Sequence, residues 1–211
     1  MPAQESPAQA IAVDTTNVRL ASMPQPQPPA ADVALLRQRA QALLPDIGRD
    51  AAQRKSRREL PFEFARQVAN AGLLTFRIPK AYGGPGGSMR DAIRFVQELA
   101  SVDANLAQAL RPNFGLIEGL LAGHDNEADR KRWFDRLLAG QIVGNGGVER
   151  GGKHGAIQTT IVREADHYLV NGTKYYSTGA LYADWISSIA VDEAGKETHF
   201  TVPRERAGMT L

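Results

Sequence analysis

The sequence predicts an α+β fold in which an all-helical block, residues 32–140, precedes an antiparallel β-barrel block, residues 141–211. Three observations carry this. Apolar residues recur every three or four positions from Val33 to Leu138, the period changes to alternation after Gly140, and no GxGxxG stands between a strand and a helix. A run of helices followed by a run of strands segregates into layers, so a doubly wound parallel sheet with a nucleotide-binding switch point is not expected.

Residues 1–31 are rich in Pro, Ala and Gln and end in MPQPQPPA, a composition that buries little and is expected to form an extended tail. From Ala31 the pattern changes: Val33, Leu35, Leu36, Ala40, Leu43 and Leu44 share one helical face. Pro61 opens a second helix with Phe64, Val68 and Ala71 on its face and Gly72 as its stop. AYGGPGGS is turn material, after which Ser88 offers an N-cap with Asp91 three residues on. The helix it starts carries Ile93, Val96, Leu99 and Ala100, and a further apolar stretch runs from Leu106 to Leu121. Asn126 caps the last helix, whose expected buried side is Trp133, Leu137 and Leu138 and which Gly140 closes.

Beyond Gly140 come QIVGNGGVE, AIQTTIVRE, HYLVNGTKYYSTG, WISSIAV and THFTVP, each alternating as a half-buried strand does. Asn171-Gly172 is the strongest hairpin signal, because a type I′ turn needs positive φ at both central positions.

Composition narrows the chemistry. The chain has 43% hydrophobic and 23% charged residues and a net charge of +2, which suits a globular protein with no broad basic surface. Arg54, Lys55, Arg57 and Arg58 form the single basic cluster, expected as a solvated helix face, so nucleic acid is not a predicted partner. There is no cysteine, which removes disulfides, thiolate metal sites and cysteine nucleophiles and assigns any redox chemistry to a cofactor. No window approaches the ~20 apolar residues of a membrane span and the N-terminus lacks a signal pattern, so a cytoplasmic location is expected. His124, His154, His167 and His199 share no metal-ligand spacing; surface or structural roles are expected for them, and no metal.

GLLTFRIPKAYGGPGGS, SVDANLAQAL and HYLVNGTKYYSTGALYADW, in that order, resemble the acyl-CoA dehydrogenase superfamily over about residues 60–211. GNGGVE at 144–149 and KYYSTGALYADW at 174–185 look more like its flavin monooxygenase branch, typified by dibenzothiophene monooxygenase and the sulfur-acquisition oxidoreductases. The acidic-Pro, Gly-Ser-Asp and Trp-Ile-Thr-Asn patterns of the dehydrogenase branch do not occur. The resemblance implies a helical domain leading into a β-barrel, and a C-terminal helical bundle that these 211 residues lack.

It also implies site residues. Asn145 falls where the monooxygenases place an Asn near the reactive edge of the flavin, although an Asn among glycines equally suits a turn. Ser177, Thr178 and Gly179 fall on a loop that presents hydroxyls and N–H groups to the isoalloxazine, or form a polar strand end. Tyr176 is a candidate cofactor contact, and Trp185 a weaker one; either also suits the barrel core. Asn113, beside Phe114, replaces a His that faces the substrate cavity in the monooxygenases; an amide keeps hydrogen bonding but cannot act as an acid or base. Glu149 and Arg150 are expected on a solvated Gly-rich loop, on which Lys153 could meet a phosphate.

The implied reaction uses reduced FMN from a separate flavin reductase and molecular oxygen to oxygenate a sulfur or nitrogen centre of a small organosulfur compound or amine. A homo-oligomer is implied for a full-length relative. The alternatives are an FAD-dependent acyl-CoA dehydrogenase and a truncated, non-catalytic remnant.

Overall fold

The structure is a computed structural model that describes residues 32–123, 126–151 and 156–211. Six α-helices precede five strands among the described residues: α1 Val33–Arg49, α2 Ala51–Arg57, α3 Phe62–Asn70, α4 Met89–Val102, α5 Ala104–Leu121, α6 Glu127–Leu138, β1 Val143–Gly146, β2 Thr160–Glu164, β3 His167–Asn171, β4 Trp185–Val191 and β5 Glu197–Pro203. The Pro-rich tail expected for residues 1–31, together with His124, Lys153 and His154, lies outside the described residues.

The helix starts follow their local chemistry. Ser88 and Asp91 form a reciprocal capping box at α4, and Asn126 accepts the Asp129 N–H at 2.9 Å to open α6. Asp32 and Asp103 cap α1 and α5 in the same way, each through its carboxylate. The helix faces are rotated from expectation by one residue in two places. α4 buries Ala92, Phe95 and Leu99 and leaves Ile93 exposed, while α6 buries Phe134 and Leu137 and turns Trp133 only partly inward. In α4 the Phe95 ring draws the helix to this phase, because burying it removes more apolar area from water than burying Ile93 or Val96; in α6 Phe134 is buried while Trp133 packs its ring against Trp185.

The basic cluster is also divided. Lys55, Arg57 and Arg58 are exposed as expected, but Arg54 is buried. It pairs with Asp103 at 3.2 Å and lies over the Phe64 ring at 4.7 Å. A guanidinium is tolerated there because its charge and plane are both met.

The sheet differs from the expected antiparallel barrel: it is mixed and not closed. β4 is its hub. β5 runs antiparallel to β4 from Trp185↔Pro203 to Val191↔Glu197, β1 runs parallel to it from Val143↔Trp185 to Gly146↔Ser188, and β2 joins it in parallel at Thr160↔Val191. β2 and β3 form an antiparallel hairpin. Alternation cannot tell parallel from antiparallel pairing; the β1–β4 connection is long enough to carry the chain back to the starting end, which is what a parallel pair requires.

The hairpin turn is not at Asn171-Gly172. The chain reverses at Ala165-Asp166, with Ala165 at φ +49°. Gly172 instead serves a close approach: a Cβ there would stand 2.3 Å from Thr159 Oγ1.

Two apolar clusters meet along α5. One joins α1, α3 and α4 with Leu106 and Leu110 and reaches into the sheet through Ile142 and Ile186; the other joins Ile117 and Leu120 to Phe134, Leu137 and Val143. Asp184 ties the two blocks together. It accepts both Arg66 terminal nitrogens at 3.1 Å and the Ile142 N–H at 2.7 Å, while Arg66 also donates to the Gly140 carbonyl. No described helix is long and apolar enough to cross a membrane.

Candidate functional site

Alternation along β4 produces the site. Ile186, Ser188 and Ala190 point into the packed layer, so Trp185, Ser187 and Ile189 face the other way. Register then places Asn145 beside Ser187 and Ser187 beside Thr201, a polar row across β1, β4 and β5. This row floors a cleft of about 980 Å³. One wall is α5 with Arg111, Pro112, Gly115, Leu116 and Gly119; the other is α6 with Asp129, Arg132, Trp133 and Arg136.

Among the described residues, the side chains of Asn145, Ser187 and Thr201 have no hydrogen-bond partner, so their amide and hydroxyls are available to a ligand. Gly115, Gly119 and Gly147 add bare backbone: a Cβ at any of them would meet nothing within 4 Å. The residues present therefore suit a broad, flat group such as a flavin ring, with room above and donors below. Within the same cleft, Trp133 and Trp185 pack edge to face at 5.3 Å, and Trp185 Nε1 donates to Gln141 at 2.7 Å.

The other expected residues sit around β1. The segment 174–179 runs along the outer edge of β1: Val148 and Tyr176 form an antiparallel bridge, and the Asn145 N–H donates to the Thr178 carbonyl at 2.9 Å. Asn145 and Thr178 are thus adjacent, but Tyr176, Ser177, Thr178 and Gly179 do not line this cleft. Tyr176 is 65% exposed, and Ser177 lies against Gly146. Gly179 sits at φ +74° with the Ala109 carbonyl 2.1 Å from where a Cβ would be, so only glycine lets this segment touch α5.

Asn113 is 0% exposed and turned toward β1. Its Oδ1 accepts the Val143 N–H at 2.9 Å, and its Nδ2 donates to the Leu110 carbonyl at 3.0 Å and to that of Val143 at 3.4 Å. The amide capacity is committed to holding β1 against α5. Glu149, expected on a solvated loop, is instead buried against Lys174 and accepts from Thr159 Oγ1 at 2.7 Å and the Gln158 N–H at 2.6 Å. Burial alone would raise its carboxyl, but these donors hold it at about 2.

Reasoning from sequence did not find Ser187, Thr201, Arg132 or Arg136. The signal for the strand residues was present: WISSIAV alternates, and its odd positions form one face. Which face opens onto the cleft depends on α5 and α6, which no local pattern in the strand encodes. His199, expected at the surface, is exposed and borders the cleft beside Ile189.

The sequence pattern of the acyl-CoA dehydrogenase N-terminal domain matches residues 31–141, more than half of the chain. The chain belongs to the acyl-CoA dehydrogenase family. It is 29% identical over 151 residues to the short-chain specific acyl-CoA dehydrogenase of Clostridium acetobutylicum, covering 70% of this chain and 40% of that relative. The FMN-bound TdsC of Paenibacillus sp. A11-2, a dibenzothiophene monooxygenase, shares the fold with a TM-score of 0.72 at 24% identity, over 82% of this chain and 45% of that one. Methanesulfinate monooxygenase MsuC of Pseudomonas fluorescens does so with a TM-score of 0.70 at 24% identity, over 82% of this chain and 44% of that one. This acyl-CoA dehydrogenase family chain thus spans less than half the length of each of these three proteins.

Proposed function

We propose that the cleft between α5, α6 and the β1–β4–β5 face is where a flavin meets its substrate. The activity it serves is a reduced-FMN-dependent monooxygenation of a sulfur or nitrogen centre in a small organic molecule. The observation that carries this is Asn145, an unpartnered amide in a polar row, facing an α-helix wall of bare glycine backbone. When bound, reduced FMN supplies two electrons to molecular oxygen, one atom passing to the substrate heteroatom and the other leaving as water.

The protein's part is to bind, orient and exclude. Asn145 would hold a flavin oxygen, with Ser187 and Thr201 as neighbouring donors. Leu116, Trp133 and Trp185 would keep water from the wall beside the bound group. Tyr176, Ser177, Thr178 and Gly179 act from outside the cleft, along the outer edge of β1, where Thr178 fixes the Asn145 backbone. Asn113 is a positioning residue for β1. A flavin reductase as electron donor and a homo-oligomeric full-length protein complete the reading.

A second reading, an FAD-dependent acyl-CoA dehydrogenase, is favoured by the Clostridium relative. One experiment separates the two: the chain is incubated with FMN, a flavin reductase, NADH and dibenzothiophene in air, and separately with FAD and butyryl-CoA without oxygen. The monooxygenase reading expects sulfoxide by mass spectrometry and no reduction of FAD by butyryl-CoA. Bleaching of bound FAD by butyryl-CoA, with no sulfoxide, contradicts it.

A further inference from the structure

The α6 wall of the cleft carries an unusual charge arrangement. Asp129, Arg132, Trp133 and Arg136 recur at positions i, i+3, i+4 and i+7, so one stripe of the helix faces the cleft while Phe134 and Leu137 face the core. Asp129 is taken by two donors, Arg132 and the Asn126 amide. The Arg136 guanidinium has no carboxylate partner and no hydrogen bond among the described residues. Its guanidinium carbon instead stands 4.1 Å from the Trp185 ring centroid and 4.7 Å from that of Trp133, so its plane is held by aromatics while its N–H fork stays unused.

This cation is placed at a disadvantage that a ligand would remove. Burial, and then the nearby positive charge of Arg132, shift the Arg136 guanidinium downward. Like charges four residues apart on a helix repel; Asp129 pairs with Arg132, and no described carboxylate pairs with Arg136. A planar, oriented fork on the wall of a cleft, backed by a second guanidinium, matches the geometry by which arginine binds an oxyanion through two parallel hydrogen bonds.

We infer that Arg136, seconded by Arg132 and steadied by Trp133 and Trp185, forms an oxyanion subsite for an acidic group of the ligand that fills the cleft. The inference rests on the proposed function only in taking the cleft as the ligand site. The acidic group has two possible sources, the phosphate of a flavin mononucleotide or the acid group of a substrate; the chemistry recognised is the same.

Trp133 and Trp185 are the two tryptophans of the chain, so its tryptophan emission reports on this subsite alone. The test is a titration with inorganic phosphate at ionic strength fixed by chloride. A saturable emission change is expected, weakened about tenfold in Arg136→Gln and severalfold in Arg132→Gln. It should stay unchanged in Lys131→Gln, whose side chain pairs with Asp135 and does not line the cleft. Arg132 is largely exposed, so its variant keeps the test sound if Arg136→Gln disturbs folding. A phosphate response no different from that to chloride, or equal in Arg136→Gln and the parent, overturns the subsite.

Two further titrations name the source. FMN binding that needs Arg136, with riboflavin binding that ignores it, assigns the subsite to the flavin phosphate. Both flavins binding independently of Arg136, with benzenesulfinate dependent on it, assigns it to the substrate. If phosphate binds as expected but neither flavin does, the subsite stands and the flavin reading falls.

Discussion

Asn113 shows what one buried amide does in this protein. It joins the middle of α5 to the first residue of β1 through both its oxygen and its nitrogen, so Asn113→Ala leaves the Val143 N–H without a partner inside the protein. The expected loss is about 2 kcal/mol in urea-induced unfolding, the penalty for an orphaned buried group plus the lost contact. Asn113→Asp keeps the acceptor for Val143 but sets a buried carboxylate oxygen against the Leu110 and Val143 carbonyls, so it should lose at least as much. Glu149 is a second case with a pH signature. Its folded carboxyl lies near 2 against 4.5 for the free side chain. The sign follows from linkage: a depressed carboxyl stabilises the fold above its unfolded value, and the contribution disappears as pH falls from about 4.5 toward about 2. Asp91, held near 2 by Ser88 and Arg37, loses its contribution as pH falls from about 3.8 toward about 2. Stability measured against pH in Glu149→Gln should therefore fall less steeply below pH ~4.5 than in the parent while keeping the Asp91 part of the slope. Asn145 was singled out through the resemblance of GNGGVE, and the structure places it on the cleft floor; the burial of Glu149 had no local signal, because its partner Lys174 stands twenty-five residues away and reaches it only through the sheet.

At the scale of elements, helix starts were legible because a cap is a local device. Ser88 and Asp91 sit three residues apart and satisfy each other's backbone groups whatever the rest of the chain does. Ser88→Ala should cost about 1 kcal/mol, read as a lower thermal midpoint with an unchanged fold. The sheet was legible only as five strands. Alternation marks a strand but carries no information about its neighbour, so β1 against β4 in parallel, and the turn at Ala165 rather than Asn171-Gly172, had to come from the tertiary arrangement. The α6 stripe failed for a related reason: Trp133 reads as core by hydropathy, yet it belongs to the cleft wall. Gly179 tests the contact between the 174–179 segment and α5. Gly179→Ala forces a Cβ against the Ala109 carbonyl at a positive φ, and should destabilise the fold by more than 1 kcal/mol. It should also weaken any ligand affinity that depends on Asn145, since Thr178 holds the backbone of that residue.

For the whole molecule, the arrangement depends on how the helical block and the sheet are joined. Arg66, Asp184 and the backbone of Gly140 and Ile142 form that joint, at the point where the helices end and β1 begins. Asp184→Ala leaves the Arg66 guanidinium buried without its partner and should cost about 3 kcal/mol in denaturant unfolding. Because the same residue precedes Trp185, its loss should also disturb the cleft floor before the helices unfold, visible as an early change in tryptophan emission. The cleft is assembled from two stretches of chain, α5 to β1 and β4 to β5, brought together by the sheet, and of the candidate site residues singled out from the sequence it is Asn145 and Trp185 that line it. The most direct measurement is anaerobic equilibrium dialysis of the 211-residue chain against reduced FMN, alongside Asn145→Ala. Saturable binding, weakened about tenfold by loss of the Asn145 amide, is the expected result; no binding, or binding indifferent to Asn145, would contradict the assignment of this cleft to a flavin.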